Sequence, residues 1–338
     1  MTTYINASLI GVGHLGSTHL RILKDIVKEN ENINLIGIFD KDKDKLKEIA
    51  DENKVRAFNS LDEALESSNT FIIVTPTSTH FDIASKAIRK DINVFIEKPV
   101  TSNEEEANKL IELVKDKSVK VQIGHIERFN PAIISLDDYN LDPIFIESHR
   151  LSQFNPRGTD VSVIHDLMIH DIDIILNLVK SPVLNIDANG VSIITSKIDI
   201  ANARIKFENG CVANVTASRI SQYKMRKMRI FQKNAYISID FLQNLSEVFR
   251  LTTGDEKANT ESFGLGGIEL ENGQKVMYER PNIDDINPLK FELMKFFEAI
   301  TENKEPIVTL EDGKQAIEVA ADIVEAVENS LEQIKKHH

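Results

Sequence analysis

The sequence YINASLIGVGHLGSTHL, residues 4 to 20, joins an apolar run to a glycine turn and to the start of a predicted helix. The run from Ala7 to Ile10 leads directly into G-x-G-x-x-G, a spacing that binds dinucleotides when it links a strand to a helix. Gly11 permits the tight turn, Gly13 lets the backbone approach a pyrophosphate, and Gly16 lets the helix pack on the strand. The amides and dipole of the helix N-terminus would hold the phosphate charge. The predicted nucleotide-binding residues of this turn are Gly11, Gly13, His14, Leu15 and Gly16.

A carboxylate at the end of a second strand supports this prediction. Residues 34 to 40, NLIGIFD, indicate a short buried strand that ends at Asp40. A carboxylate at this place binds the ribose diol and repels a ribose phosphate, which predicts NAD rather than NADP. Two alternatives remain open. Asp40 could instead cap the following helix, and Lys41 or Lys43 could reach a ribose phosphate.

Strands and helices continue to alternate through residues 70–74, 93–96 and 119–123, as a parallel sheet requires. The turn TPTSTH, residues 75–80, follows one of these strands, at the end where open α/β sheets bind ligands. Its hydroxyls could meet the nucleotide or cap the next helix. The residues of this turn that we expect near the cofactor are Thr75, Pro76, Thr79 and His80.

The strand at 93–96 runs into Glu97-Lys98-Pro99. A Lys-Pro pair at the carboxyl end of a central strand places an ammonium at the cofactor cleft, so we expect both Glu97 and Lys98 there. Such a lysine can polarise a substrate hydroxyl and stabilise the developing alkoxide. A surface salt bridge between Lys98 and Glu97 is the alternative interpretation.

After GHIERFNP, residues 124–131, the pattern changes to long strands that alternate apolar and polar residues, which is typical of an antiparallel sheet. The predicted strands span residues 143–151, 186–195, 203–207, 212–218, 228–231 and 236–240. The predicted fold is therefore α/β, with an N-terminal Rossmann doubly wound parallel sheet and a C-terminal α+β domain with a large, mostly antiparallel open sheet. The predicted domains are an NAD-binding Rossmann domain over 1–123 and a substrate and oligomerisation domain over 124–338.

One predicted helix, residues 163–179, combines an apolar sequence with clustered histidines and aspartates. Asp166 and His170 are four residues apart and share a helix face, so the carboxylate can orient the imidazole while the imidazole acts as a general base. His165 points elsewhere on an ideal helix and is predicted to be a packing or dimer-face residue. Asp171 and Asp173 are interpreted as hydrogen-bonded or solvated carboxylates. Without an HExxH motif or a cysteine cluster, we predict no metal site.

Three basic regions are candidate anchors for a phosphorylated substrate: Arg150, Arg157 and the strand over 224–233. For the basic strand, a solvated sheet edge is the alternative interpretation.

The composition excludes several classes of protein. With 53 acidic and 40 basic residues among 338, the net charge of -13 disfavours a surface that follows nucleic-acid phosphates. No apolar run approaches the length of about 20 residues that spans a bilayer, and no signal sequence is apparent. The single cysteine, Cys211, suits a reducing compartment. We therefore expect a cytoplasmic protein that binds neither nucleic acid nor membrane.

Together, GVGHLG, Asp40, TPTSTH, EKP and DLMIH resemble the Gfo/Idh/MocA oxidoreductases over the whole chain. The resemblance implies a Rossmann domain followed by an open-sheet domain that forms a homo-dimer or homo-tetramer. It also implies that Lys98, Asp166 and His170 are catalytic and contact the substrate, and that the Lys98–Pro99 bond is cis.

Within that family, GHIERFNP and DLMIHDIDI resemble a nucleotide-sugar 3-dehydrogenase branch. The implied reaction is the NAD-dependent oxidation of the 3-hydroxyl of a UDP-linked N-acetylated sugar, with Arg128 and Asn130 lining the substrate cleft. The chain departs from many family members at Val161, Ser162 and Met168, where glycines are common. Two alternative functions are a dehydrogenase of free sugars or myo-inositol and a non-catalytic NAD-binding regulator.

Overall fold

The computed structural model of the chain describes residues 4–156, 161–253, 267–269, 274–283 and 285–337. The chain divides into two compact units. The first comprises Met1–Ile126 with Ile286–Ile317, and the second comprises Glu127–Asp285 with Glu318–His338.

A parallel sheet of five strands forms the centre of the first unit. The strands are β1 (Ile5–Ile10), β2 (Ile33–Phe39), β3 (Thr70–Ile73), β4 (Asn93–Glu97) and β5 (Val121–Gly124). Their spatial order in the described residues is β2-β1-β3-β4-β5. The order reverses between β1 and β3, so the ligand crevice of such a sheet lies at the carboxyl ends of these two strands. The glycine turn and TPTSTH follow these two strands directly.

The helices of this part of the chain alternate with its strands. They are α1 (His14–Glu29), α2 (Lys43–Asn53), α3 (Leu61–Ser67), α4 (His80–Arg89) and α5 (Glu104–Val114), with a short 3₁₀ turn at Thr77–Thr79. A second 3₁₀ turn, Ile126–Phe129, begins at the last residue of this segment and continues into the second unit. The buried face of α1 includes Leu20, Leu23 and Ile26, which join the apolar core over the sheet. The Rossmann-type sheet predicted from the alternating pattern is confirmed.

The second unit contains a large sheet and a helix that covers one of its faces. Its elements are α6 (Pro131–Ile134), β6 (Phe145–Leu151), a π-helical turn (Ile164–Met168), α7 (Ile169–Val179), β7 (Val183–Val191), β8 (Ile200–Phe207), β9 (Val212–Ser218), β10 (Met225–Gln232), β11 (Ala235–Asp240), β12 (Leu245–Thr253), β13 (Gly267–Glu269) and β14 (Gln274–Glu279). The described strands follow the order β13-β14-β12-β11-β10-β6-β9-β8-β7. All pairs are antiparallel except β6 with β9, which confirms a mostly antiparallel sheet.

The basic strand β10 is not a sheet edge. It pairs with β6 on one side and with β11 on the other, so the edge interpretation is wrong. Met228 and Ile230 face the buried core, while Lys227 and Arg229 are exposed on the opposite face. Apolar and charged residues alternate along β10 because only one face of the sheet is covered by α7. The charged side chains lie on the other face.

Two helices complete the chain, α8 (Pro288–Thr301) and α9 (Leu310–His337). Helix α8 belongs to the first unit, where Leu293, Phe296 and Phe297 join the core and the Phe296 ring lies 5.9 Å from that of Phe95. The compact units therefore differ from the predicted division at 123/124, which assigned all of 124–338 to one domain. The apolar face of α8 is buried in the core over the Rossmann sheet.

No helix in the described ranges is long and apolar enough to cross a membrane. Cys211 is buried, and burial raises the pKa of its thiol to about 11.

Candidate active site

The glycine turn packs so tightly that two of its positions exclude any side chain. Gly11 has a φ of 97°, and a Cβ atom on it would lie 2.5 Å from the carbonyl oxygen of Val74. A Cβ atom on Gly16 would collide with the carbonyl oxygen of Gly11. These contacts hold the start of α1 against the ends of β1 and β3.

Gly13 differs from these two glycines because it borders open space. It is the N-cap residue of α1, and a Cβ atom on it would meet nothing closer than Lys45 Nζ at 4.0 Å. His14 and Leu15 are exposed beside it. Free helix amides and open space at one point are what a pyrophosphate needs, so the turn fits the phosphates of a dinucleotide. Lys45 is not among the predicted site residues, because no sequence motif places a residue of α2 near this turn.

Asp40 is held in a fixed orientation by backbone amides. Its Oδ2 accepts from Val12 N at 2.8 Å and its Oδ1 accepts from Asp42 N at 3.0 Å. A carboxylate has about four acceptor sites, so capacity remains for ribose hydroxyls. The cap of α2 is Asp42, whose side chain accepts from Lys45 N, and the capping interpretation of Asp40 is therefore wrong. Lys43 Nζ donates to Asn59 O at 2.6 Å.

The TPTSTH turn is stabilised by its own side chains. Thr79 Oγ1 lies 2.8 Å from both Thr75 Oγ1 and Pro76 O. Although Thr79 is the N-cap residue of α4, its side chain makes no capping hydrogen bond, so the capping alternative is wrong for this residue. His80 is buried, with Nε2 2.9 Å from Thr75 O and Nδ1 2.9 Å from Pro99 O. The imidazole thus bridges the turns after β3 and β4.

The Glu97 carboxylate is bound by protein groups at the end of β4. Its Oε1 lies 2.7 Å from His19 Nε2, and its Oε2 accepts from Lys98 N at 3.1 Å. The Lys98–Pro99 peptide bond is cis, as the resemblance implies. His19 is not among the predicted site residues, although a histidine on the apolar face of α1 is a signal that could identify it.

Asp166 lies in the π-helical turn and His170 lies in the first turn of α7, and both are partly exposed. The predicted continuous α-helix over 163–179 is therefore wrong for residues 164–168, where i→i+5 bonding widens the turn. Such π-turns often occur at functional sites because they change the direction of a few side chains. His165 is half-buried, its Nδ1 lies 3.0 Å from Ser162 Oγ, and burial lowers the pKa of its imidazole.

Asp171 belongs to a buried ion-pair network rather than to solvent. Arg150 Nε donates to Asp171 Oδ2 at 2.6 Å, and Ser148 Oγ donates to Asp171 Oδ1 at 2.9 Å. A second Arg150 nitrogen donates to Glu127 Oε1 at 2.7 Å. Burial opposes the charge on Arg150, but Asp171 and Glu127 outweigh it, and the pKa of Arg150 is raised. Because Arg150 is buried and used in this network, its predicted role as a phosphate anchor is wrong.

Arg128 and Asn130 also bind protein groups. Arg128 makes a two-point ion pair with Asp173, at 2.8 and 2.7 Å, in buried surroundings. Asn130 caps α6 by accepting from Ala132 N, and its amide donates to Phe241 O at 3.3 Å. The structure thus gives both residues roles within the second unit, while their contact with substrate stays a prediction.

Two further predictions concern Arg157 and metal binding. Arg157, the predicted substrate ligand, lies outside the described residues. Among the described residues, no group of three His, Cys, Asp or Glu side chains is arranged to hold a metal ion.

Two consecutive parts of the chain, together residues 5–238, match known families. Residues 5–125 match the family described as "Oxidoreductase family, NAD-binding Rossmann fold", and residues 124–238 match the "GFO/IDH/MocA C-terminal domain".

Three known proteins define the similarity further. The chain is 39% identical over 252 residues to UDP-N-acetylglucosamine 3-dehydrogenase of Acidithiobacillus ferrooxidans, covering 74% of this chain and 79% of that protein. A solved structure of that enzyme superposes with a TM-score of 0.85 at 34% identity, covering 96% and 98% of the two chains. Scyllo-inositol 2-dehydrogenase (NAD(+)) of Bacillus subtilis is 29% identical over 241 residues, 66% of this chain and 70% of that protein. A levoglucosan dehydrogenase solved with NADH and levoglucosan shares the fold, with a TM-score of 0.81 at 17% identity over 97% and 98% of the chains.

The glycine turn predicts opposite results for two alanine variants. Gly16→Ala forces a clash with backbone, which should lower the free energy of unfolding by about 1–3 kcal/mol or more. Gly13→Ala meets open space, so the free chain should melt within a few degrees of the unsubstituted protein. NAD at about 100 times its dissociation constant should add roughly 2.7 kcal/mol to the unsubstituted protein, and this gain should be lost in Gly13→Ala. Thermal melts with and without NAD measure both effects, and an undiminished NAD shift in Gly13→Ala would contradict the predicted pyrophosphate site.

Proposed function

We propose, since the chain belongs to the GFO/IDH/MocA oxidoreductase family, that it oxidises the 3-hydroxyl of a UDP-linked N-acetylated sugar to the 3-keto sugar. The observation that carries the proposal is the 39% identity to UDP-N-acetylglucosamine 3-dehydrogenase, together with the superposition at a TM-score of 0.85. The inositol dehydrogenase is less similar, at 29% identity. Polyol oxidation is therefore the second candidate, and reduction of NAD by free inositols but not by UDP-N-acetylglucosamine would favour it.

Three residues of the chain have separate proposed roles in the reaction. We assign His170 as the base that takes the hydroxyl proton, Asp166 as the carboxylate that orients it, and Lys98 as the ammonium that stabilises the developing alkoxide. When bound, the nicotinamide supplies the acceptor for the hydride that leaves the carbinol carbon. The partial exposure of Asp166 and His170 supports these roles, because a base must reach its substrate.

We propose NAD as the preferred cofactor. The Asp40 carboxylate is fixed by Val12 and Asp42 amides at the end of β2, and its negative charge would repel a 2′-phosphate. Lys43, which could have offset this charge, is bonded to Asn59 O and lies 5.0 Å from the Phe39 ring centre. The ratio of kcat/KM with NAD to kcat/KM with NADP measures the preference, and a ratio below one would contradict it.

We propose that the protein forms a homo-dimer or homo-tetramer through the nine-stranded sheet. A continuous row of aromatic rings crosses β6, β10, β11, β12 and β14 on the sheet face opposite the buried residues of β10. The row consists of Phe145, Phe231, Tyr236, Phe249 and Tyr278, with successive ring centres 5.6, 5.0, 5.5 and 4.9 Å apart. An apolar row of this length on one chain is typical of an interaction surface.

A cytoplasmic location is proposed on the single, buried cysteine and on NAD as cofactor.

Replacing the proposed base should remove turnover without unfolding the protein. We expect His170→Asn to lower kcat about 10²–10⁴-fold with UDP-N-acetylglucosamine, and to leave the melting temperature and the NAD shift unchanged. His165→Asn is the matched control, because His165 lies in the same segment and bonds Ser162, and it should keep turnover within a few-fold. Turnover of His170→Asn at the unsubstituted rate would contradict the role.

A charge in the aromatic row should dissociate the oligomer. We expect Phe231→Glu to lower the mass in analytical ultracentrifugation to that of one chain, because the exposed ring would become a desolvated carboxylate in the contact. Tyr4→Glu, an exposed aromatic position of the first unit, is the control and should keep the mass. If Phe231→Glu keeps the same oligomeric mass as Tyr4→Glu, the interface does not include the aromatic row.

A further inference from the structure

The carboxylate of Glu97 is enclosed at the point where β4 ends and the Lys98 turn begins. One oxygen meets His19 Nε2 at 2.7 Å and the other accepts the backbone N–H of Lys98 at 3.1 Å. A Cβ atom on Gly124 would lie 3.1 Å from Glu97 Oε2, so β5 packs closely against this side of the carboxylate. Glu97 is thus directed into the first unit, and each of its oxygens has a defined donor or partner.

His19 lies on the buried face of α1, the helix that begins at the glycine turn. The residue is fully buried, and its ring centre is 5.8 Å from that of Phe95. Its Nδ1 atom has no hydrogen-bond partner in the described residues, so Glu97 is the polar group that this imidazole contacts. A leucine would fill the same space without the cost of burying a polar ring. The packing of α1 therefore does not explain why a histidine stands here.

The Lys98 turn is also held from its other side. The carbonyl oxygen of Pro99 lies 2.9 Å from Nδ1 of His80, whose Nε2 lies 2.9 Å from Thr75 O. The backbone around Lys98 is therefore fixed to two elements: to α4 through His80, and to α1 through Glu97 and His19. The second link is the one that joins Lys98 to the helix of the cofactor turn.

We propose that His19 is a positioning residue for Lys98. Through Glu97 it fixes the Lys98 backbone relative to α1, and so sets the place of the ammonium relative to a cofactor bound at the glycine turn. The inference rests on the proposed role of Lys98 in the reaction. Misplacement of a catalytic group by 1 Å can cost about 10²-fold in rate, so a linkage of this kind contributes to turnover without touching the substrate.

Steady-state kinetics separate positioning from packing. In His19→Leu the volume is kept and the donor is lost, and we expect kcat to fall about 10- to 100-fold while KM for NAD changes by less than three-fold. His19→Gln carries an amide nitrogen to the place of Nε2 and should recover kcat to within a few-fold. Leu23→Ala, on the same buried face of α1, is the control and should lower the melting temperature while keeping kcat. If His19→Leu, like Leu23→Ala, lowers the melting temperature but keeps kcat, His19 is a packing residue and the proposal is wrong.

A coupling test asks whether His19 acts through Glu97. We expect the loss of kcat in the double variant His19→Leu with Glu97→Gln to be smaller than the product of the two separate losses, because both changes break one linkage. Fully multiplicative losses would contradict this route. If His19→Leu fails to fold, the pair His19→Gln and His19→Asn replaces it, since the shorter amide does not reach Glu97 and should lose kcat.

A measurement without turnover keeps this proposal distinct from the proposed function. Limiting acetic anhydride labels lysine amines, and peptide mass spectrometry gives the labelling rate of Lys98 relative to the exposed Lys86. We expect His19→Leu to change this ratio at least two-fold and Leu23→Ala to leave it unchanged. An unchanged ratio in His19→Leu would overturn the positioning role, whereas a changed ratio in a protein that oxidises no UDP-sugar would contradict the function alone.

Discussion

The close approach of α1 to the ends of β1 and β3 is the constraint on which the first unit depends. Gly11 takes a left-handed φ of 97° beneath the Val74 carbonyl, and Gly16 lies against the Gly11 carbonyl. Any side chain at either position would push the helix away from the sheet. Because the helix is held this close, its first amides point at the open space beside Gly13, and His19 on the same helix reaches Glu97. The proposed cofactor turn and the proposed catalytic lysine are therefore connected through one rigid element.

Buried ion pairs hold α7 in place within the second unit. Arg150 binds Asp171 and Glu127, and Arg128 binds Asp173, all within side chains that are nearly fully buried. Removing one partner of a buried pair typically costs about 3–5 kcal/mol, since the other charge is left unpaired. The Arg150–Asp171 pair joins α7 to β6 of the sheet, and the Arg128–Asp173 pair joins α7 to the 3₁₀ turn at Ile126–Phe129. The orientation of the proposed base thus depends on ion pairs that its neighbours Asp171 and Asp173 make.

Much of the fold could be predicted because it follows local patterns. The alternation of apolar runs and helices gave the parallel sheet, and β9 spans the predicted residues 212–218. Three features could not be predicted in this way. The placement of α8 depends on which of two apolar surfaces buries Phe296, which no local period decides. The position of β10 inside the sheet depends on long-range pairing. The π-turn at Ile164–Met168 inserts no distinctive residue into an otherwise helical pattern.

The same limit applies to the site. The proposed functional residues Asp40, Lys98 and His170 could be selected from motifs. The buried contacts of the neighbouring residues Glu97 and Asp171 could not be predicted, because His19 precedes Glu97 by 78 residues and Arg150 precedes Asp171 by 21. A buried polar contact is visible in a sequence only as a charged or aromatic residue in an apolar stretch, and that signal does not name its partner.

The most direct test of the proposed reaction traces the hydrogen atom on sugar carbon 3. UDP-N-acetylglucosamine carrying deuterium at sugar carbon 3 would be incubated with the protein and NAD, and the reduced cofactor would be analysed by mass spectrometry. We predict that deuterium moves to the cofactor and that the reaction is slower than with the unlabelled sugar. Reduced cofactor without deuterium, or no reduction with this sugar while free inositols reduce NAD, would contradict oxidation at the 3-hydroxyl.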